Sequence, residues 1–261
     1  MSPTFAETLV TGIHVTALLV TVAASIRLLR RRPRSLAVFY FHFAIISELT
    51  SMLYWLVYDL LQSQTRMPFA ANEFAEAASF LMFAASMSTV DNGRFRDART
   101  EVALTALFGI CNAALWVVWN GEWAEFILGG AAYTYFLCVC ARCLKRSGVL
   151  TRQQWTLMGV SALAVLLLQL AWTLWEHGRP VLDHVGAALP LSVGILLAIR
   201  FLCACRSGED WRSRFMLATC IYAWSVTTMY MTTGVWYLAA ELLSMLTLPM
   251  MLTQLGQGAE P

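Results

Sequence analysis

Glu48, Ser51, Trp55 and Asp59 stand 3, 4 and 4 residues apart within one apolar stretch. At 100° per residue of helix they share a single stripe. Carboxyl groups in such a stripe, with a hydroxyl between them, suit neutralisation of a cation, proton exchange or capture of an amine. Comparable groups recur in other apolar stretches: Glu73 and Glu76 about one turn apart, then His14, Asn112, Gln169 and Glu241. Tyr135 and Tyr230 sit less favourably in two more. Ionisable groups inside a bilayer cost a few kcal/mol each, so they normally face a bundle interior or a wet cavity.

The stretches that must position these groups are long. A bilayer core about 30 Å thick needs roughly 20 apolar residues in helical form. Such runs cover approximately 8–29, 36–61, 71–90, 102–119, 124–144, 155–175, 184–205, 215–233 and 235–255. The last two belong to one apolar run whose single turn signal is Thr232-Thr233-Gly234. The expected fold is therefore an all-α polytopic membrane bundle of nine transmembrane helices, in a single domain over residues 1–261. An eight-span version with a re-entrant final segment stays open.

Composition agrees. Charged residues make up 13% and hydrophobic residues 59%, where a soluble domain carries roughly a quarter charged and under half apolar. A soluble enzyme is excluded, and so are disordered or collagen-like chains, which need far more than 15 Gly and 7 Pro. The net charge of +2 is a cancellation. Of 18 basic residues, 16 fall in the connections after the first, third, fifth and seventh stretches, leaving Arg66 and Arg179 on the other side. The positive-inside rule then puts the N-terminus outside. The first stretch lacks preceding basic residues and ends in Arg30-Arg31-Arg32, so it is expected to stay as a span and not to be cleaved as a signal. The expected location is a cell membrane, the bacterial inner (plasma) membrane, with an extracytoplasmic N-terminus.

With this orientation, His14, Glu48, Glu73, Glu76, Asn112, Gln169 and Glu241 all belong to the outer half of the membrane layer. Glu241 falls about 9 Å below the outer surface at 1.5 Å per residue. The inner half is mostly apolar or cysteine-containing, broken by Tyr40 and His42. A weak periodicity pairs a Trp with a polar residue four later near the outer ends: Trp55 with Asp59, Trp116 with Asn120, Trp172 with Glu176. An interfacial aromatic belt accounts for it.

Other chemistries find little footing. Cys138, Cys140 and Cys143, with Cys203 and Cys205, cluster near the cytoplasmic ends, but positions i and i+2 of a helix diverge by about 160°, which does not suit one metal. Lipidation or simple packing accounts better for these thiols. The four histidines His14, His42, His177 and His184 contain no H-x-x-x-H pair. The sole lysine, Lys145, lies in a connection, which excludes a retinal-type Schiff base within a span. Ser47, Ser51, Ser79 and Ser86 lie near Glu48 and Glu76 but in no G-x-S-x-G motif. No phosphate-cradling glycine loop is present.

The resulting expectation is a protein that binds or transports a small cationic or protonatable ligand in an outward-facing polar cavity. Its candidate binding residues are Glu48, Glu76, Glu241, His14, Asp59, Glu73, Asn112 and Gln169. Two alternatives stay open: a membrane-embedded enzyme acting on a lipid-like substrate near the outer leaflet, and an anchor subunit of a larger redox complex. No cofactor, metal or nucleic acid is expected. Membrane lipids are expected neighbours, and the basic cytoplasmic connections would suit a protein partner.

Overall fold

A chain segment in hydrocarbon must satisfy its backbone polar groups internally, which favours helices. The computed structural model describes residues 5–61, 71–91, 99–119, 124–174 and 180–258. Among these the chain is all-helical, with 92% helix and no strand. The helices are α1 (Phe5–Arg31), α2 (Leu36–Leu61), α3 (Ala71–Val90), α4 (Arg99–Trp119), α5 (Gly130–Ser147), α6 (Arg152–Leu174), α7 (Pro180–Arg206), α8 (Trp211–Met231) and α9 (Gly234–Gln257). A π-helical turn, Ala124–Gly129, leads directly into α5. Among the described residues, five segments are long and apolar enough to cross a membrane: Thr8–Arg31, Leu36–Tyr58, Ile127–Ser147, His184–Arg206 and Gly234–Gln257. Large apolar side chains such as Val20, Ile110 and Leu246 project outward from their helices. A helical bundle with such faces is compatible with a membrane protein.

The chain divides into two compact units, Met1–Cys143 and Leu144–Glu260. In the first, α1, α2 and α3 pack in chain order, and α3 and α4 each meet the π-helical turn. The buried stripe of α1 reads Thr11, His14, Leu18, Thr21 and Ser25, at alternating intervals of three and four that keep one face toward its neighbour. A short turn at residues 32–35, with Ser35 N–H donating to the Arg32 carbonyl at 3.1 Å, returns the chain as α2. Small residues Ala77, Ala84 and Ser86 are buried on α3, and Ser86 Oγ donates to the Ala37 carbonyl at 2.9 Å. Short side chains let helix backbones approach this closely. Phe41 and Phe83 pack edge to face at 5.9 Å between α2 and α3, and Phe80 stacks on Phe136 of α5 at 5.9 Å. Arg142 ties α5 to two helices, through an ion pair with Glu101 of α4 at 3.1 Å and a hydrogen bond to Ser88 of α3 at 3.0 Å.

In the second unit α6 packs on α7, α7 on α8 and α8 on α9. A capping box opens α6: Thr151 N–H donates to Gln154 Oε1 at 2.9 Å, and Gln154 N–H donates to Thr151 Oγ1 at 3.3 Å. Arg200 fastens two connections at once, donating to the Val149 carbonyl at 3.0 Å and to Glu209 at 2.6 Å. Every residue of α8 from Phe215 to Val226 is buried. That helix can therefore carry hydroxyls that a lipid-facing helix would have to shed. Thr219, Ser225 and Thr228 donate back to the carbonyls of Phe215, Ile221 and Trp224. The link from α8 to α9 is two residues, Thr232 and Thr233, followed by Gly234 at φ +63°. Antiparallel pairing then brings Arg214 onto Gln257 at 2.8 Å and the Trp211 ring against Gly258, where any side chain would collide with it.

Candidate functional site

The hydrogen bond that anchors the site joins two helices. Ser79 Oγ of α3 donates to Glu48 Oε2 of α2 at 2.7 Å, with both side chains buried. Ala37 lies near Ser86 on the same pair of helices, so positions rise on α2 as they fall on α3. Antiparallel helices climb equally per residue, and level positions keep a nearly constant sum. From the Glu48–Ser79 bond outward, Ser51 comes level with Glu76, and Trp55 level with Asn72. Glu73 adjoins Asn72. A line of polar residues therefore runs along α2 and α3 from mid-helix toward the C-terminal end of α2 and the N-terminal end of α3.

The first helix contributes from the other side of α2. Ser25 and His42 share a 2.7 Å hydrogen bond, which places His14, three turns closer to the N-terminus on the stripe of Ser25, level with Leu53. His14 and Thr11 are buried there. Glu48 and Glu73 are buried, and Glu76 is half-buried. His14, Glu73 and Glu76 each have interaction partners. No Lys or Arg occurs within residues 5–26, 36–61 or 71–91. The sequence thus supplies five carboxyl groups (Glu7, Glu48, Asp59, Glu73 and Glu76) and two imidazoles (His14 and His42) to these three helices, with basic residues only from Arg27 onward in α1.

Three other buried atoms are unserved. Ser51 Oγ, Tyr54 Oη and Asn72 Oδ1 lack a hydrogen-bond partner among the described residues. An unpaired buried polar group costs ~1–3 kcal/mol, so such atoms ordinarily mark bound water or a bound polar molecule. Tyr54 belongs to an aromatic trio with Trp55 and Tyr58, at ring separations of 5.8 to 6.5 Å.

The remaining sequence-derived candidates divide. Glu241 is fully buried on α9 of the second unit, one turn before Ser244, whose hydroxyl donates to the Glu241 carbonyl at 2.7 Å. Asp59, Asn112 and Gln169 occupy helical positions on α2, α4 and α6, but their side chains lie outside the described residues. The side chains of Trp116 and Trp172, and residues Asn120, Glu176 and His177, also lie outside them. Of the other histidines, His184 accepts from Trp236 Nε1 at 3.2 Å.

Sequence reasoning missed Tyr54 and Asn72. The signal for Asn72 was its interval of seven residues before Ser79, which returns a helix to nearly the same face. Among the described residues no group of three His, Cys, Asp or Glu side chains could hold a metal ion. None of the seven cysteines is in a disulfide, and Cys143 lies buried with Sγ 4.0 Å from the Met87 carbonyl. Comparison with family models, with characterised proteins and with solved structures returns no match.

Proposed function

We propose that this chain is a multi-pass membrane protein that binds, or carries, a small cationic or protonatable ligand at the outer ends of α1, α2 and α3. The supporting observation is the line in which Glu48, Glu76 and Glu73 alternate with the unserved oxygens of Ser51 and Asn72. Burial keeps water from competing for the carboxylates, and opposite charge is attracted more strongly there than at a wet surface. Glu48 is already held by Ser79 and forms the floor of the site. Glu76 is the more accessible carboxyl and supplies charge neutralisation, with His14 and Glu73 flanking it.

In this reading all nine helices cross the membrane with the N-terminus outside, in the inner membrane of a bacterium. The exposed arginines Arg27, Arg30, Arg31 and Arg34 then lie at the cytoplasmic surface, where anionic lipid or a protein partner would meet them. Asp59 of α2 and Asn112 of α4 are assigned supporting roles in polar recognition.

The test is binding and flux in liposomes reconstituted with the full chain, using a panel of organic and inorganic cations. Glu76→Gln is expected to abolish uptake or binding of the cation that the wild type selects, and Glu48→Gln to weaken it at least tenfold, the ~1.4 kcal/mol of one charge-assisted hydrogen bond. Unchanged binding and flux in both variants would sink the proposal.

A further inference from the structure

The unserved atoms of that line carry information about what binds there. Ser51 and Asn72 are 1% and 2% exposed, so bulk solvent does not serve them. Ser51 lies about one turn outward from Glu48, whose side chain meets α3. Asn72 lies two turns outward from Ser79, on the face that meets α2. Tyr54 follows Ser51 by three residues, and its hydroxyl is buried. By the register of the Glu48–Ser79 bond, Ser51 lies level with Glu76, and Asn72 adjoins Glu73.

We propose that the site takes an organic cation bearing N–H groups, specifically a protonated primary amine. This rests on the cation-binding reading above and narrows it. The amide oxygen of Asn72 can only accept, and carboxylates can only accept. Hydroxyl oxygens of Ser51 and Tyr54 accept as well as donate. A protonated primary amine presents three N–H donors around a single charge. It can therefore pair with one carboxylate and two neutral oxygens at once. A quaternary ammonium has no N–H and leaves those oxygens unpaired. Metal ions want several ligands at short, fixed distances, and the described residues offer no group of three His, Cys, Asp or Glu side chains to one. The rings of Tyr54, Trp55 and Tyr58 attract either kind of organic cation, so the acceptors, and not the rings, decide between them.

Isothermal titration on the full chain in lipid nanodiscs tests this with four probes: n-propylammonium, N,N,N-trimethylpropylammonium, sodium and magnesium. Propylammonium is expected to bind at least tenfold more tightly than its trimethyl analogue, the order of effect of leaving a buried acceptor unpaired. Asn72→Leu and Ser51→Ala are each expected to shrink that preference to less than threefold, and a full tenfold preference retained in both would overturn the inference. Equal binding of the two ammonium probes to the wild type would overturn the inference without any variant being made. Magnesium or sodium binding that disappears in Glu76→Gln would overturn it too, while leaving the cation-binding reading standing. If none of the four probes binds, both fall.

Discussion

Where a buried polar residue is tied to a particular neighbour, that neighbour decides what a substitution does. Ser79 donates to Glu48 across α2 and α3. Interhelical hydrogen bonds in membrane bundles contribute about 0.6–1.7 kcal/mol. A double-mutant cycle of Ser79→Ala and Glu48→Gln, read by unfolding in mixed micelles, is expected to show a coupling in that range. Zero coupling would mean that the two groups do not sense each other. Glu48 was legible in the sequence because its spacing with Ser51 and Trp55 makes a stripe. Its partner was not, since Ser47, Ser79 and Ser86 all lay within reach of the same argument. Choosing among hydroxyls needs the register between two helices, and register depends on side-chain packing from both. Asn72 shows the same limit: nothing in its local sequence says that its amide oxygen would be buried.

Helices and turns were more legible than their pairings. The helical segments coincide with apolar stretches because a hydrophobic run of about 20 residues has few other ways to satisfy its backbone. The π-helical turn before α5 was not legible, since a π turn adds one residue to a helical loop without a compositional mark. The link between α8 and α9 was marked by a single glycine. Gly234 adopts φ +63° with open space around its α-carbon. Alanine there meets no neighbour and suffers only the backbone penalty. Gly234→Ala is thus expected to lower stability by about 1 kcal/mol, measured by thermal or denaturant unfolding in detergent. A neutral result would indicate that the turn relaxes to another conformation.

Over the whole molecule, charge distribution is the basis of the proposed orientation, and burial identifies the interior of each unit. The basic residues lie in alternate connections, and that pattern can be checked directly. In a cysteine-free background, Ser35→Cys, Thr151→Cys and Ser207→Cys are expected to react with an impermeant maleimide from the cytoplasmic side. Thr233→Cys is expected to react from the opposite side. Labelling of Thr233→Cys together with Ser207→Cys would favour eight spans with a re-entrant last segment. Grouping of helices into two units was not apparent beforehand, because hydropathy reports how a segment meets lipid and is silent on which segments meet each other. The all-round burial of α8 was hidden for the same reason: its hydroxyls and its flanking Arg212 and Arg214 make it look like a poor span.

That burial has a consequence for how the protein is made. A segment whose hydroxyls are sheltered only in the finished bundle has little drive to enter lipid while it is still alone at the ribosome exit. α9 is among the strongly apolar segments and follows after only two residues. In the nine-span reading the two helices would therefore enter the bilayer as one hairpin, the later helix carrying the earlier. Lengthening their short link would threaten the protein's biogenesis well before it threatened the finished fold.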